Sequence, residues 1–304
     1  MRKELLVCFL VSVFCLTAPV NAAMNIVWVS DAHTPAADFA GGKNVAPDWQ
    51  AVETPWDQPW VDLLISQGHS VDYTKGTPGD GYWRTLDEDK IAALNAADLV
   101  IISRDTSSGS YNNDDEATQW NSVATPLIQM NSYLARSSRW KWFDTTGNVG
   151  GGDAPLMDGA PPFDEVFQDL EVLDGAVGKG DTSFVLAKDA GNGQALMVVD
   201  TDFPGAAEGG VDDLAGSIWL ATWEAGVEFY DGAGQTAAAK RMYFAAGTWE
   251  GDDAEGTYWG QCMYNLTPEG EALFTAAVQT IPEPATIALL GLGGLALLRV
   301  RRRR

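Results

Sequence analysis

Four short strand-like segments alternate with helical segments in the first half of the chain, and this alternation constrains the fold more than any other feature. The strand-like segments are residues 24–29, 69–73, 99–103 and 127–130. Short apolar strands separated by helices are typical of a parallel sheet that is covered on both faces. Because such crossovers are right-handed, we predict an α/β fold with a doubly wound, mainly parallel sheet.

The second half of the chain has a different pattern, which predicts additional strands and loops inserted into the same domain. Residues 144–162 are rich in Gly, Asp and Pro and predict a loop. Five further segments have the composition of strands: residues 184–187, 195–199, 218–223, 227–230 and 241–246. A closing helix is predicted over residues 269–278. No internal repeat is visible, so we expect one domain over residues 23–281.

The N-terminus has the pattern of a secretory signal peptide over residues 1–22. Arg2 and Lys3 are followed by an apolar stretch, and Val20-Asn21-Ala22 places small residues before a cleavage site. Cleavage there leaves Cys262 as the sole cysteine of the mature chain, because Cys8 and Cys15 are removed. We therefore expect an exported protein with no internal disulfide, in which Cys262 is a buried free thiol.

The C-terminus has three parts that follow one another over residues 282–304. Pro282-Glu283-Pro284 precedes an apolar run of 14 residues, 285–298. At about 1.5 Å per residue this run is shorter than a bilayer core of about 30 Å. A basic cluster ends the chain: Arg299, Arg301, Arg302, Arg303 and Arg304. The positive-inside rule places this cluster in the cytoplasm and the main domain outside.

This tail resembles the PEP-CTERM sorting signal of exported bacterial proteins. The resemblance implies that an exosortase in the membrane cleaves near Pro-Glu-Pro after a transient anchoring through residues 285–298. It also implies export through the secretion machinery, an inner-membrane stage and release to the cell surface or extracellular matrix. The family is associated with biofilm-forming bacteria that make exopolysaccharide, which becomes a candidate partner.

The charge of the chain excludes nucleic acid as a partner. The full sequence has 19 Lys and Arg against 42 Asp and Glu, a net charge of −23. Residues 1–22 hold two basic residues and one acidic residue, and residues 282–304 hold five and one, so 12 basic and 40 acidic residues remain between them. A phosphate backbone needs a basic surface to displace its counterions, whereas this body attracts cations.

The layout of the body resembles flavodoxin-like folds, most closely the class I glutamine amidotransferase-like group. The resemblance is carried by Asn25 to Val29, Gly68 to Val71, Asp98 to Ser103 and the ending Arg241 to Gly247, which is followed by a last helix. In that group a nucleophilic cysteine lies on a Gly-flanked turn after a strand, with a histidine to activate it. The resemblance implies the same place for a site here.

The chain lacks that nucleophile, so no catalytic residue is carried over. Asn131-Ser132-Tyr133 follows the fourth strand, with neither a cysteine nor flanking glycines. Cys262 lies far downstream, and Ser132 lacks the Gly-x-Ser-x-Gly pattern of a nucleophile elbow. His69 begins a strand at the edge opposite the expected site, which favours a structural role. Whether the protein is an enzyme is left open, and a non-catalytic domain is favoured.

The carboxyl ends of the predicted strands collect polar side chains into one candidate ligand site, because ligands of such sheets bind at that edge. Asp31 and Arg104 follow neighbouring strands and would lie close enough to pair. The predicted site consists of Asp31, His33, Arg104, Asp105, Asn131 and Arg136. Loop polarity and salt bridges are the alternative interpretation of the same residues.

No metal site or cofactor is predicted from the residue spacing. Histidine is nearly absent, and neither acidic loop, 112–116 or 252–255, follows an EF-hand pattern for Ca²⁺. Trp140 and Trp142 would suit stacking on sugar rings if they were exposed, although alternating tryptophans in a strand usually place one ring in the core and one at its edge.

Two functions remain open from the sequence. The first is a structural or interaction protein of the cell surface with a non-catalytic body. The second is a carbohydrate-active or small-ligand-binding domain that uses the crevice at the carboxyl edge. A crevice filled by the protein's own side chains would favour the first function, and exposed tryptophans beside charged groups would favour the second.

Overall fold

The structure is a computed structural model in which the two ends of the chain are outside the described residues. The described residues are 23–73, 81–150, 156–159, 165–167, 183–199, 216–245, 251–252, 255–260, 262–264, 266 and 268–281. The predicted signal peptide and the residues that follow 281 therefore receive no structural account. No helix in the described ranges has the length and apolarity needed to cross a membrane.

The first half of the chain forms the predicted parallel sheet. Its strands are β1 (Asn25–Val29), β2 (Ser70–Asp72), β3 (Leu99–Ile102) and β4 (Leu127–Gln129). They pair in the order β2-β1-β3-β4, and every pair is parallel. The strand order reverses beside β1, which is the arrangement of a doubly wound α/β fold. The predicted fold class is confirmed.

Helices connect these strands and close the chain. They are α1 (Pro35–Ala40), α2 (Gln58–Ser66), α3 (Glu88–Asn95), α4 (Glu116–Asn121), α5 (Ser132–Ala135) and α6 (Pro268–Thr280). Three of these helices begin at a polar side chain that satisfies a free backbone N–H group. Thr34 caps α1 by accepting a hydrogen bond from the Ala37 N–H at 3.1 Å, and Asp87 and Asn131 cap α3 and α5 in the same way. The loops between the parallel strands and the helices that follow them reach the carboxyl edge of the sheet.

The second half adds nine strands, five of which extend the same sheet. These strands are β5 (Asn148–Gly150), β6 (Leu156–Gly159), β7 (Glu165–Phe167), β8 (Ser183–Val185), β9 (Gln194–Val199), β10 (Ile218–Trp223), β11 (Arg241–Phe244), β12 (Gly251–Asp252) and β13 (Tyr258–Trp259). β11 pairs in parallel with β4, and β10, β9, β6 and β7 follow in antiparallel pairs to complete nine strands. β5 pairs with β8 in a separate ribbon, as β12 does with β13.

Two predictions about the second half are wrong. Residues 144–162 are not a continuous loop, because β5 and β6 both lie within them. Residues 227–230 do not form a strand, and Glu228 makes an isolated bridge to Thr236. β5 and β6 form because each pairs with a neighbouring strand, although their sequences have low strand propensity. The turn after β10, by contrast, leaves residues 227–230 without a continuous partner.

The tryptophans form the core, so the sugar-stacking interpretation of Trp140 and Trp142 is wrong. Both side chains are fully buried. Trp140 stacks on Trp120 with ring centroids 5.2 Å apart, and Trp142 stacks on Phe229 at the same 5.2 Å. The indole N–H of Trp142 donates to Asn121 Oδ1 at 2.8 Å. The indole N–H of Trp140 donates to the Tyr111 carbonyl at 2.8 Å, so both rings have an acceptor that fixes their orientation.

Candidate functional site

The loops that follow β1 and β3 are tied together at the carboxyl edge of the sheet. The Asp31 N–H donates to the Asp105 carbonyl at 2.7 Å, and the Ser103 N–H donates to the Val29 carbonyl at 2.8 Å. Ala32 has a φ of 52°, in the left-handed region that few non-Gly residues adopt. The parallel pairing thus continues past the strands and turns the following residues back over the edge.

Asp31 lies at the centre of this edge and accepts hydrogen bonds from three residues. Arg84 Nη2 lies 2.7 Å from Asp31 Oδ2, and the Tyr111 hydroxyl donates to Oδ1 at 2.8 Å. The Ser107 N–H donates to Oδ2 at 3.2 Å. Asp31 is 1% exposed, so its charge is balanced by Arg84 and not by water. Burial and the charge of Asp31 raise the pKa of Tyr111 well above its usual value, which keeps the phenol protonated as the donor.

His33 and Asp105 form a dyad beside this carboxylate. His33 Nδ1 lies 2.7 Å from Asp105 Oδ1, and the His33 N–H donates to Asp105 Oδ2 at 2.8 Å. Burial lowers the pKa of the imidazole, but the hydrogen bond and charge of Asp105, with the charges of Asp31 and Asp38, outweigh it and raise the pKa to about 9. At neutral pH His33 is therefore an imidazolium that donates through Nδ1.

Asn131 joins two loops and caps a helix. Its side-chain amide donates to the Thr106 carbonyl at 2.6 Å and to the Thr106 hydroxyl at 2.9 Å. Its Oδ1 accepts from the Tyr133 N–H at 2.9 Å, which begins α5. The two contacts with Thr106 are buried, and the contact with Tyr133 is partly buried. The carboxamide is thus used by the fold on both of its sides.

The two predicted arginines lie against the ring of Tyr133. The Arg104 guanidinium carbon is 4.8 Å from the ring centroid, and that of Arg136 is 5.1 Å from it. Arg104 is buried, whereas Arg136 is half-buried and donates to the carbonyls of Tyr133 and Thr146. The ion-pair partner of Asp31 is Arg84, which the sequence analysis did not single out.

A buried polar group lies beneath the dyad. Asp57, fully buried at the start of α2, accepts hydrogen bonds from the Trp28 indole at 2.8 Å and from the Ser103 hydroxyl at 2.9 Å. Burial, followed by repulsion from Asp105, raises the pKa of Asp57 to about 6. A third carboxyl group, after those of Asp31 and Asp105, is thus held under the edge by donors from β1 and from the residue that follows β3.

Cys262 lies at this same edge although it is distant in sequence. It is buried and free, as predicted, and its carbonyl accepts the Trp60 indole N–H at 2.9 Å. Burial, and then the negative charge of Asp57, raise the pKa of the thiol well above its usual value, against an opposing hydrogen bond from Ser103. The thiol therefore lies near carboxylates and not near a base that would ionise it.

The remaining residues considered from the sequence have structural contacts. His69 Nδ1 accepts from the Met24 N–H at 3.2 Å, at the edge opposite Asp31. Ser132 is fully buried within α5. In the first acidic loop, Glu116 accepts from the Asn113 N–H at 2.8 Å. Part of the second acidic loop lies outside the described residues, and within those residues no three His, Cys, Asp or Glu side chains are grouped to hold a metal ion.

Sequence reasoning missed Arg84, Tyr111 and Asp57. One feature of the sequence pointed to Arg84. Basic residues are scarce in this chain, so an arginine directly before a predicted helix start has a raised chance of forming a specific ion pair. Tyr111 and Asp57 carried none, because both lie in polar loops whose path over the edge depends on the fold.

Comparison with known proteins identifies the tail. Residues 280–304 match the model of the PEP-CTERM protein-sorting motif, which supports an exported protein that an exosortase processes. No curated protein matches the chain. Among solved structures, a cytoplasmic protein from Salmonella typhimurium is similar, with 12% identity, a TM-score of 0.41, and coverage of 74% of this chain and 85% of that chain.

The His33–Asp105 dyad predicts an alkaline loss of stability. The folded-state pKa of His33 is about 9 against about 6.5 in the unfolded chain, so its stabilising contribution is complete below pH 6.5 and is lost as the pH rises through 9. We expect the wild type to be more stable than His33→Gln at pH 7. The difference between their free energies of unfolding, measured by urea denaturation, should shrink as the pH rises to 9.5.

His69→Gln is the matched control for this measurement. Burial lowers the pKa of His69, so its contribution is lost as the pH falls and not as it rises. The control should therefore keep the alkaline decline of the wild type. A constant difference between wild type and His33→Gln from pH 7 to pH 9.5 would show that the dyad is not charged as described.

Proposed function

We propose that this chain is an exported cell-surface or extracellular-matrix protein, sorted by an exosortase, whose amidotransferase-like body is a non-catalytic scaffold. Its parts are a signal peptide over residues 1–22, the α/β domain over 23–281 and the sorting segment over 282–304. The PEP-CTERM match supports the sorting step. The role of the body is argued from its carboxyl edge.

The observation that carries the proposal is that the body's own side chains fill the edge where such a sheet would bind a ligand. Asp31, Asp105 and Asn131 are each 1% exposed or less. The oxygens of Asp31 are occupied by Arg84, Tyr111 and Ser107, so a ligand would have to displace buried hydrogen bonds. Breaking one buried charged hydrogen bond costs about 1.5–3 kcal/mol, and a ligand here would break several.

The protonation states also favour a scaffold over an acid–base or nucleophilic enzyme. A general base works best with a pKa near the operating pH, whereas that of His33 is about 9. Cys262 is buried with a raised thiol pKa, and thiolate is the reactive form. Asp57, whose pKa is raised to about 6, is fully buried and is held by the Trp28 indole and the Ser103 hydroxyl. His33 and Cys262 thus favour holding two loops together over transferring a proton.

One observation favours the second function, a small-ligand site at the same edge. The side chains of His33 and Arg84 are 27% and 31% exposed, so two cations reach the surface of an otherwise acidic body. A small anion such as a carboxylate could bridge them. Broadening of the His33 ring resonances by millimolar sulfate but not by chloride would favour this alternative over the scaffold.

The scaffold proposal predicts that Cys262 is protected in the folded protein. We expect iodoacetamide at pH 8 to alkylate the thiol of the folded mature chain at least about 100-fold more slowly than in urea, because reaction awaits unfolding. Cys262→Ser should cost about 1–3 kcal/mol of unfolding free energy, from a hydroxyl in a buried site. Alkylation of the folded chain with a pH midpoint near 7 would contradict the proposal.

The sorting proposal predicts cleavage near Pro284. Mass spectrometry of the surface form, purified from an exosortase-bearing bacterium, should find a C-terminus close to Pro284 and no peptide containing Arg301. Replacing Pro282, Glu283 and Pro284 together by Ala should leave the full tail on a membrane-bound form. An intact tail on the wild-type surface protein would refute exosortase processing while leaving the account of the body unaffected.

A further inference from the structure

The start of the domain and its last helix meet at one corner of the sheet. This corner belongs to the amino edge, where the parallel strands begin, opposite Asp31. The Met24 N–H donates to His69 Nδ1 at 3.2 Å, directly before β1. Two residues earlier than His69, the Gln67 side-chain amide donates to the Thr275 hydroxyl of α6 at 2.7 Å. Because residues 67 and 69 are at most about 7 Å apart, both contacts lie at the end of α2.

The last helix runs from the carboxyl edge towards the amino edge. The segment before it lies at the carboxyl edge, where the Cys262 carbonyl accepts the Trp60 indole N–H at 2.9 Å. α6 reaches the end of α2 at Thr275, and six more residues lead to Ile281. At about 1.5 Å per residue, these residues carry the chain about 9 Å further in the same direction. The described domain therefore ends at the edge where it begins.

The connection from the domain to the apolar run of the tail is short. Ile281 is fully buried, and its N–H donates to the Ala277 carbonyl at 3.1 Å. Only residues 282–284 separate Ile281 from the apolar run, which begins at Ala285. Four steps of at most about 3.6 Å bring Ala285 within about 14 Å of Ile281.

This length limits how far the body can stand from a membrane that holds the apolar run. The run of 14 residues, 285–298, is itself shorter than a hydrocarbon core of about 30 Å, so it has no surplus length to extend the connection. The headgroup layer takes up roughly 5–7 Å on each side of that core. The end of α6 is therefore held within about one headgroup layer of the lipid surface.

The loops at the amino edge suit close approach to lipid headgroups. The loops that lead into β2, β3 and β4 are residues 67–69, 96–98 and 122–126, and Asp98 is their one acidic residue. Asp98 Oδ2 already accepts from the Asn25 N–H at 2.8 Å and from the Asn25 side-chain amide at 3.3 Å. The last turn of α2 adds Ile65, which is 51% exposed. An anionic lipid surface thus meets one carboxylate in these loops, and that carboxylate is bonded to the protein.

We propose that the amino edge of the sheet is the surface by which the anchored protein contacts lipid headgroups at the outer face of the inner membrane. The inference rests on the proposed sorting function, because it requires the transient anchor of residues 285–298. The segment after the signal peptide begins at the same edge, so both predicted membrane segments are joined to one face of the body. The carboxyl edge, with the exposed parts of His33 and Arg84, points away from the membrane.

Spin labels on the uncleaved chain, with its signal peptide removed and reconstituted into phospholipid vesicles, test this inference. Ser70→Cys and Ala96→Cys place labels at the amino edge, and Gly109→Cys places the matched control in the loop after β3. All three positions are exposed, and a Cβ at Gly109 meets no atom within 4 Å. Cys262 is buried and should stay unlabelled. A nickel-chelating lipid headgroup should enhance the spin relaxation of labels 70 and 96 and leave that of label 109 unchanged.

A longer connection shows whether the tether imposes the contact. Insertion of about twelve Gly and Ser residues between Ile281 and Pro282 adds a flexible spacer of about 20 Å, so the enhancement at label 70 should fall. Equal enhancement at labels 70 and 109, or none in chains that float with the vesicles, would overturn the inference while leaving the anchor intact. A chain that does not float with the vesicles would overturn the anchor and the sorting proposal together.

Discussion

The burial of Asp31 at the end of the first strand is the constraint on which the carboxyl edge depends. A carboxylate removed from water must be surrounded by donors and a cation, because an isolated buried charge costs several kcal/mol. Arg84 and Tyr111 supply these groups from two separate loops. Satisfying one carboxylate therefore fixes the path of these loops over the sheet, and it occupies the oxygens of Asp31 with the protein's own donors.

The dyad beside Asp31 depends on the same principle. His33 remains charged at neutral pH because Asp105 and Asp31 are close enough to offset its burial. Asp57 lies deeper, with no cation paired to it among the described residues, and its raised pKa reflects burial and the neighbouring charge of Asp105. Its folded-state pKa lies above the unfolded value, so its contribution to stability is present below about pH 4 and is lost as the pH rises through 6. The edge is thus held by its charged pairs, while Asp57 opposes folding at neutral pH.

The parallel half of the fold was predictable from the sequence, whereas much of the second half and the pairing at the edge were not. Residues 99–102 and 26–29 are apolar on both faces, a pattern that few structures other than a covered strand satisfy. Residues 148–150 and 156–159 become strands only through pairing with β8 and β9, and a single sequence does not display its pairing partners. The Arg84–Asp31 pair spans 53 residues and depends in the same way on the completed fold.

The protonation of the two histidines tests most directly the central claim that the carboxyl edge is a closed, charge-paired network. The chain has two histidines, His33 and His69, and His69→Gln assigns their resonances by NMR. Following the ring ¹⁵N shifts across pH, the account predicts that His33 titrates near pH 9 with Nδ1 protonated and that His69 titrates below 6.5. A His33 pKa at or below 6.5 would contradict it, because Asp105 and Asp31 would then not hold a charge on the imidazole.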